Sequence, residues 1–197
     1  MYQKYHTPGF VLANFNSGEA SKMYKIFTRD LGLIYARAQS ARAPHSKLKP
    51  ALTDYSAGNF TFIKGKNGWK ITDALSNLNL YFALQADDKF YFIARFFTLI
   101  QKLLPEDEQN HIFFDSIKND INFLLLNPLS PEQLKNFECI AILRSLNFLG
   151  YLGDGGPWQV FLQKENLLPE DLKIFSSWRR EAVKEINASF KASQLFS

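Results

Sequence analysis

The sequence predicts an α+β chain, a small closed barrel of five strands followed by an all-helical domain. Three observations carry that prediction. Residues 1–80 hold 11 Lys/Arg against 4 Asp/Glu, while residues 81–197 hold 12 against 15. Before about residue 78, short β-rich runs are parted by strong turn signals; after it, large apolar residues recur at helical spacing. A basic module built of strands and a mildly acidic one built of helices also suggests what the first is for. Strands that carry excess positive charge are prepared for a polyanion. The boundary is placed at 1–79 for a nucleic-acid-binding barrel and 80–197 for the helical domain.

The first strand is the run Gly9 to Phe15, closed by the turn Asn16-Ser17-Gly18. Lys22 to Thr28 alternates, with Met23 and Lys25 on one side and Tyr24, Ile26 and Thr28 on the other. Arg29-Asp30-Leu31-Gly32 makes a tight turn into Leu33 to Ala38. There Tyr35, Arg37 and Gln39 share one face, and Ile34, Ala36 and Ala38 the other. A polar, basic stretch from Ser40 to Lys49 ends at Pro50. Asn59 to Lys64 and Trp69 to Leu75 form a hairpin about Gly65-Lys66-Asn67-Gly68. Five strands with little helix signal between them fit a small barrel.

Helical spacing then takes over. Phe90, Ile93, Phe97, Ile100 and Leu104 recur until Pro105, and Phe113, Ile117, Ile121 and Leu124 form a second helix. Ser130 is read as an N-cap with Pro131 at the first helical position, opening a helix that runs to about Tyr151. Gly153 to Pro157 interrupts the pattern, and a last helix starts near Pro169 and continues toward the end.

Several function classes are excluded. No run of about 18 residues is free of charge, so no membrane span or membrane partner is expected. The start, MYQKYHTPGF, lacks the apolar stretch of a secretory signal, and a cytoplasmic protein follows. The single cysteine, Cys139, rules out an internal disulfide and lies in an apolar helical run as a small hydrophobe. His6, His45 and His111 are scattered without ligand spacing, so no metal or cofactor is expected. Ser46 and Lys49 match Ser-x-x-Lys by letters alone, within a basic loop. Glu106-Asp107-Glu108 reads as a solvated helix start. No catalytic constellation survives, and an enzyme is not expected.

What remains is binding chemistry. Between Lys22 and Lys49 lie seven basic residues and one acid, Asp30, with Tyr24, Phe27 and Tyr35 interleaved. Single-stranded nucleic acid needs both parts, cations along the phosphates and flat rings on which unpaired bases stack. Phe27, between Ile26 and Thr28, is assigned to the core. Lys22, Tyr35, Arg37, Arg42, Lys47 and Lys49 are the candidate DNA contacts, with Tyr35 as the stacking ring. Lys64, Lys66 and Lys70 flank the second hairpin and offer a secondary DNA path. The aromatic-rich helical domain suggests an alternative, an adaptor whose apolar groove captures a partner peptide.

These residues resemble the RecO family of recombination mediators. The resemblance lies in Gly18-Glu19, Lys22-Met23-Tyr24, Ile26-Phe27-Thr28, Leu31-Gly32, Ala38 to Arg42, Ser46-Lys47-Leu48 and Ala51-Leu52. Phe137-Glu138 followed by Leu143, Leu149, Gly150 and Tyr151 is similar to that family's helix ending in Gly-Tyr, and Ser193-Gln194-Leu195 is also shared. The resemblance implies an oligonucleotide/oligosaccharide-binding (OB-fold) barrel and a non-enzymatic DNA repair factor. Such a factor binds single- and double-stranded DNA, anneals complementary strands and loads RecA. Its implied partners are the tail of single-stranded DNA-binding protein, RecR and RecA. Arg42 and the basic loop through Lys47 are implied in DNA contact. Two departures stand out. Gln39-Ser40 replace the usual Lys-Gly, and the loop Gly153–Pro157 replaces a four-cysteine zinc module, so zinc is not expected.

Overall fold

The structure is a computed structural model and describes residues 3–39, 41, 43, 45–84, 87–153 and 155–193. Five strands come first: β1 Lys4–Ser17, β2 Ser21–Thr28, β3 Gly32–Ala38, β4 Ser56–Gly65 and β5 Gly68–Asn79. Helices follow: α1 Leu80–Leu84, α2 Asp88–Leu103, α3 His111–Leu126, α4 Pro131–Phe148, α5 Gln159–Leu162, α6 Pro169–Phe175 and α7 Arg179–Ala192. The expected last helix is thus two helices joined by a 3-10 turn, Ser176–Trp178. The chain divides into two compact units, residues 1–86 with 104–114, and residues 87–103 with 115–197.

In the first unit the strands close in the order β1-β2-β3-β5-β4. All neighbours are antiparallel except β3 and β5, which meet at Ala36↔Trp69 and Arg37↔Lys70. An OB-fold is a five-stranded Greek-key barrel of this kind, and it fits the unit. The interior is filled by Val11, Tyr24, Ile26, Ile34, Ala36, Phe60, Phe62, Trp69 and Ile71, with Ala41 and Leu52 from the β3–β4 loop. These are the inward positions of each alternating strand. At one place both faces of the sheet are buried: Ile26, Phe27 and Thr28 are all inaccessible. The reason is residues 104–114. Phe114 packs on Phe10 and Phe27 with ring centroids 5.1 and 5.3 Å apart, and Phe113 packs on Phe27 at 5.8 Å.

That segment also corrects the reading of Glu106-Asp107-Glu108, which starts no helix. Asp107 adopts a left-handed conformation (φ 58°) and its N–H donates to the Leu33 carbonyl at 2.9 Å. α3 begins later, where the Asn110 side chain accepts from the Phe113 N–H at 2.9 Å. Gly32 permits the close approach. Its φ is 70°, and a Cβ there would lie 2.0 Å from the Glu108 carbonyl oxygen.

The second unit is helical. α4 is its centre and buries Leu134, Phe137, Ile140, Leu143 and Leu146, with Cys139 among them. Its start is as expected: Ser130 Oγ accepts from the Gln133 N–H, and the Gln133 side chain accepts from the Ser130 N–H. Arg144 is buried as well, its guanidinium donating to Asp120 at 2.6 Å, the Phe161 carbonyl at 2.9 Å and the Lys164 carbonyl. Among the described residues no helix is long and apolar enough to cross a membrane.

Candidate nucleic-acid interface

The site is built by strand register. Phe15 pairs with Met23, Met23 with Arg37, Arg37 with Lys70, Lys70 with Ile63 and Ile63 with Lys4. Residues in register on neighbouring strands share a face, so these six form one row around the outside of the barrel. The adjoining row is Ala13, Lys25 and Tyr35. Lys25 and Arg37, with Lys70 beside Arg37, thus stand next to two rings, whereas the row has passed round the closed barrel by the time it reaches Lys4 at the other end of β1.

The two rings lie close together. Phe15 is 46% exposed, and its ring lies 6.2 Å from that of Tyr35, tilted by 59°. Lys25 Nζ sits 5.1 Å over the Tyr35 ring, which holds an ammonium beside the stacking surface. Arg37 is exposed and donates to Ser21 Oγ at 3.2 Å, which steadies it at the β1–β2 turn. Glu19 is the acid nearest in sequence to this turn, and it is exposed.

Of the residues expected from sequence, Tyr35 and Arg37 come together here. Lys70, expected on a secondary path, stands directly beside Arg37. Lys22 faces elsewhere and donates to Asn14 Oδ1 at 2.8 Å, lining a cavity with Lys49. Lys47 is exposed beside a shallow groove formed by Pro50, Ala51 and Ala74–Asn79. Lys66 is exposed at the tip of the β4–β5 hairpin. Lys64 pairs with Asp107 at 3.2 Å and lies 4.8 Å over the Trp69 ring, so its charge is largely answered within its own unit. Arg42 lies outside the described residues. The sequence reading did not select Phe15, Lys25 or Lys4. Lys25 was legible from its alternation with Tyr24, whereas Phe15 was not, for a reason taken up below.

Net charge sets the barrel unit apart. With residues 104–114 included, the barrel unit carries net +4 and the helical unit is neutral. Among the described residues no group of three or more His, Cys, Asp or Glu could hold a metal ion. Cys139 is buried, and burial pushes its thiol up to about 11.

Residues 1–76, which span the barrel nearly to its end, match the family described as Recombination protein O N terminal. The N-terminal barrel is thus similar to that of the RecO family. Similar proteins named DNA repair protein RecO include one from Alkaliphilus metalliredigens, 27% identical over 67% of this chain and 54% of the relative. Another, from Acetivibrio thermocellus, is 25% identical over 77% of this chain and 58% of its own length. A third, from a Thermoanaerobacter species, is 24% identical over 82% and 64% respectively. The chain therefore spans less than two thirds of the length of these RecO relatives. The family resemblance read from sequence is borne out.

Proposed function

We propose that this RecO-like chain binds single- and double-stranded DNA on the outer barrel face and promotes strand annealing and RecA loading in repair and recombination. The observation that carries the reading is Arg37 and Lys70 side by side, next to Lys25 and the Phe15–Tyr35 ring pair. Cations there offset the repulsion between two phosphate chains, and the rings hold unpaired bases by stacking while their edges stay accessible. Lys47 and Lys66 add exposed cations, Lys22 and Lys49 contribute from the barrel end, and Arg42 is proposed as a further DNA contact on the family resemblance. The role is non-catalytic: the protein changes which strands meet, not their covalent bonds. RecR, RecA and the tail of single-stranded DNA-binding protein are the proposed partners, and the cytoplasm, at the nucleoid, is the proposed site of action.

Fluorescent oligonucleotide binding across a salt series tests this. Affinity should fall linearly with salt on a log–log plot, and the Arg37→Gln, Lys70→Gln pair should lower the slope by about 2. Phe15→Ala with Tyr35→Ala should weaken single-strand binding about tenfold or more while leaving duplex binding nearly unchanged. Salt-independent affinity, or ring variants that bind as wild type, would end the proposal.

A further inference from the structure

A second feature of the barrel lies away from that face. A cavity of about 460 Å³ opens at the barrel end beside the β3–β4 loop, lined by Asn14, Lys22, Tyr24, Lys49, Leu52 and Asp54 with Ala41 and Thr53. Its size falls within the ~300–1,000 Å³ of small-molecule sites. The floor is apolar and fixed, since Tyr24, Ala41 and Leu52 are each 2% exposed. The wall is fixed too. The Asn79 side chain donates to Thr53 Oγ1 at 2.9 Å and to the Asp54 carbonyl at 3.1 Å.

The polar groups are arranged so that positive charge stays usable. Asn14 stands between the opposite charges, donating to Asp54 Oδ1 at 2.6 Å and accepting from Lys22 Nζ at 2.8 Å. The amide therefore satisfies the carboxylate and spares Lys22 a direct ion pair. Lys49 is exposed and makes no ion pair with a described residue. Asp54 keeps a second oxygen able to accept a hydrogen bond. Two ammonium groups, one carboxylate acceptor and an apolar floor match a phosphate, a base edge and a base face. We infer that this cavity binds a nucleoside monophosphate, either a free nucleotide or the phosphorylated end of a strand. A phosphate at its terminus carries close to two negative charges, which suits a pair of lysines better than an internal phosphodiester does.

The experiment uses the full chain, with calorimetric titration of dAMP, dTMP and inorganic phosphate, and oligonucleotides that differ only in a terminal phosphate. Both nucleotides should bind more tightly than phosphate alone. Lys22→Gln and Lys49→Gln should each lose about tenfold or more. Asn14→Asp should weaken binding similarly, by giving Lys22 a carboxylate partner while keeping both lysines. Free nucleotide binding identifies the free ligand, and a preference for phosphorylated ends identifies the strand end. Nucleotides that bind no better than phosphate, or no change in the three variants, would overturn the inference. Phe15→Ala with Tyr35→Ala should leave nucleotide binding unchanged, so failure on the outer face and failure here are separately visible.

Discussion

Single residues in this molecule carry charge where charge is expensive. Asp120 is 4% exposed and Arg144 2%, and their side chains meet at 2.6 Å. Burial dominates: it pushes the Asp120 carboxyl from 3.8 up to about 6, and the attraction of Arg144 recovers only part. The folded state thus holds this proton more tightly than the unfolded chain does. Stabilisation from the proton is full below the unfolded value and is lost as pH rises through the folded one. Relative to Asp120→Asn, which does not titrate, the wild type should lose about 2 kcal/mol between pH 4 and pH 6.5. Urea unfolding of both proteins across that range measures the difference, and a slope of the opposite sign would mean that Arg144 outweighs burial. Gly32 is a residue-scale constraint of another kind. Its positive φ and the 2.0 Å approach of the Glu108 oxygen leave no room for a Cβ. Gly32→Ala should cost more than the ~1 kcal/mol of a strained backbone alone, read as a lowered unfolding midpoint.

At the scale of elements, the parts that were legible in the sequence are those whose causes are local. Ser130, Pro131 and Gln133 fix the start of α4 within one turn, so the cap could be read directly. Ser130→Ala should accordingly cost about 1 kcal/mol in thermal unfolding and leave oligonucleotide binding unchanged. The alternation of β2 and β3 likewise showed Tyr35 and Arg37 on one face. Phe15 was hidden by β1 itself. Val11 pairs with Ile26 and points inward, but a register shift at Leu12 makes Ala13 pair with Lys25, on the outer side. An extra residue in one strand reverses the sense of alternation beyond it. Simple period-two reading puts Phe15 with Val11 in the core; the bulge turns it out beside Tyr35. Asp107 was hidden for a different reason. Its partners Lys64, Trp69 and Leu33 are far away in sequence, and nothing in Glu106-Asp107-Glu108 announces them. Arg144 was missed because a lone Arg within an apolar helix looks like its solvated edge until its three acceptors are seen.

For the whole molecule, the consequential point is that the barrel is not contiguous in sequence. A division at residue 79 or 80 separates strands from helices, yet residues 104–114 pack with the barrel and complete its hydrophobic cover. Phe10 and Phe27 are 4% and 1% exposed, against Phe113 and Phe114 at 1% each. Stability of the DNA-binding strands should therefore depend on rings that follow two helices in the chain. In the full chain, Phe114→Ala should cost about 3–5 kcal/mol, the usual result of emptying a buried aromatic site. The loss should show as faster amide exchange in β1 and β2, the strands that carry Phe10 and Phe27. Phe137→Ala, in the core of the helical unit, should instead speed exchange in α4 and its neighbours. A fragment ending at residue 86 would keep all five strands but leave Phe10, Phe27 and Leu33 uncovered, and should bind a hydrophobic dye and aggregate. If that fragment proved monomeric and as heat-stable as the intact barrel, residues 104–114 would be a passenger on the surface, not a part of the domain.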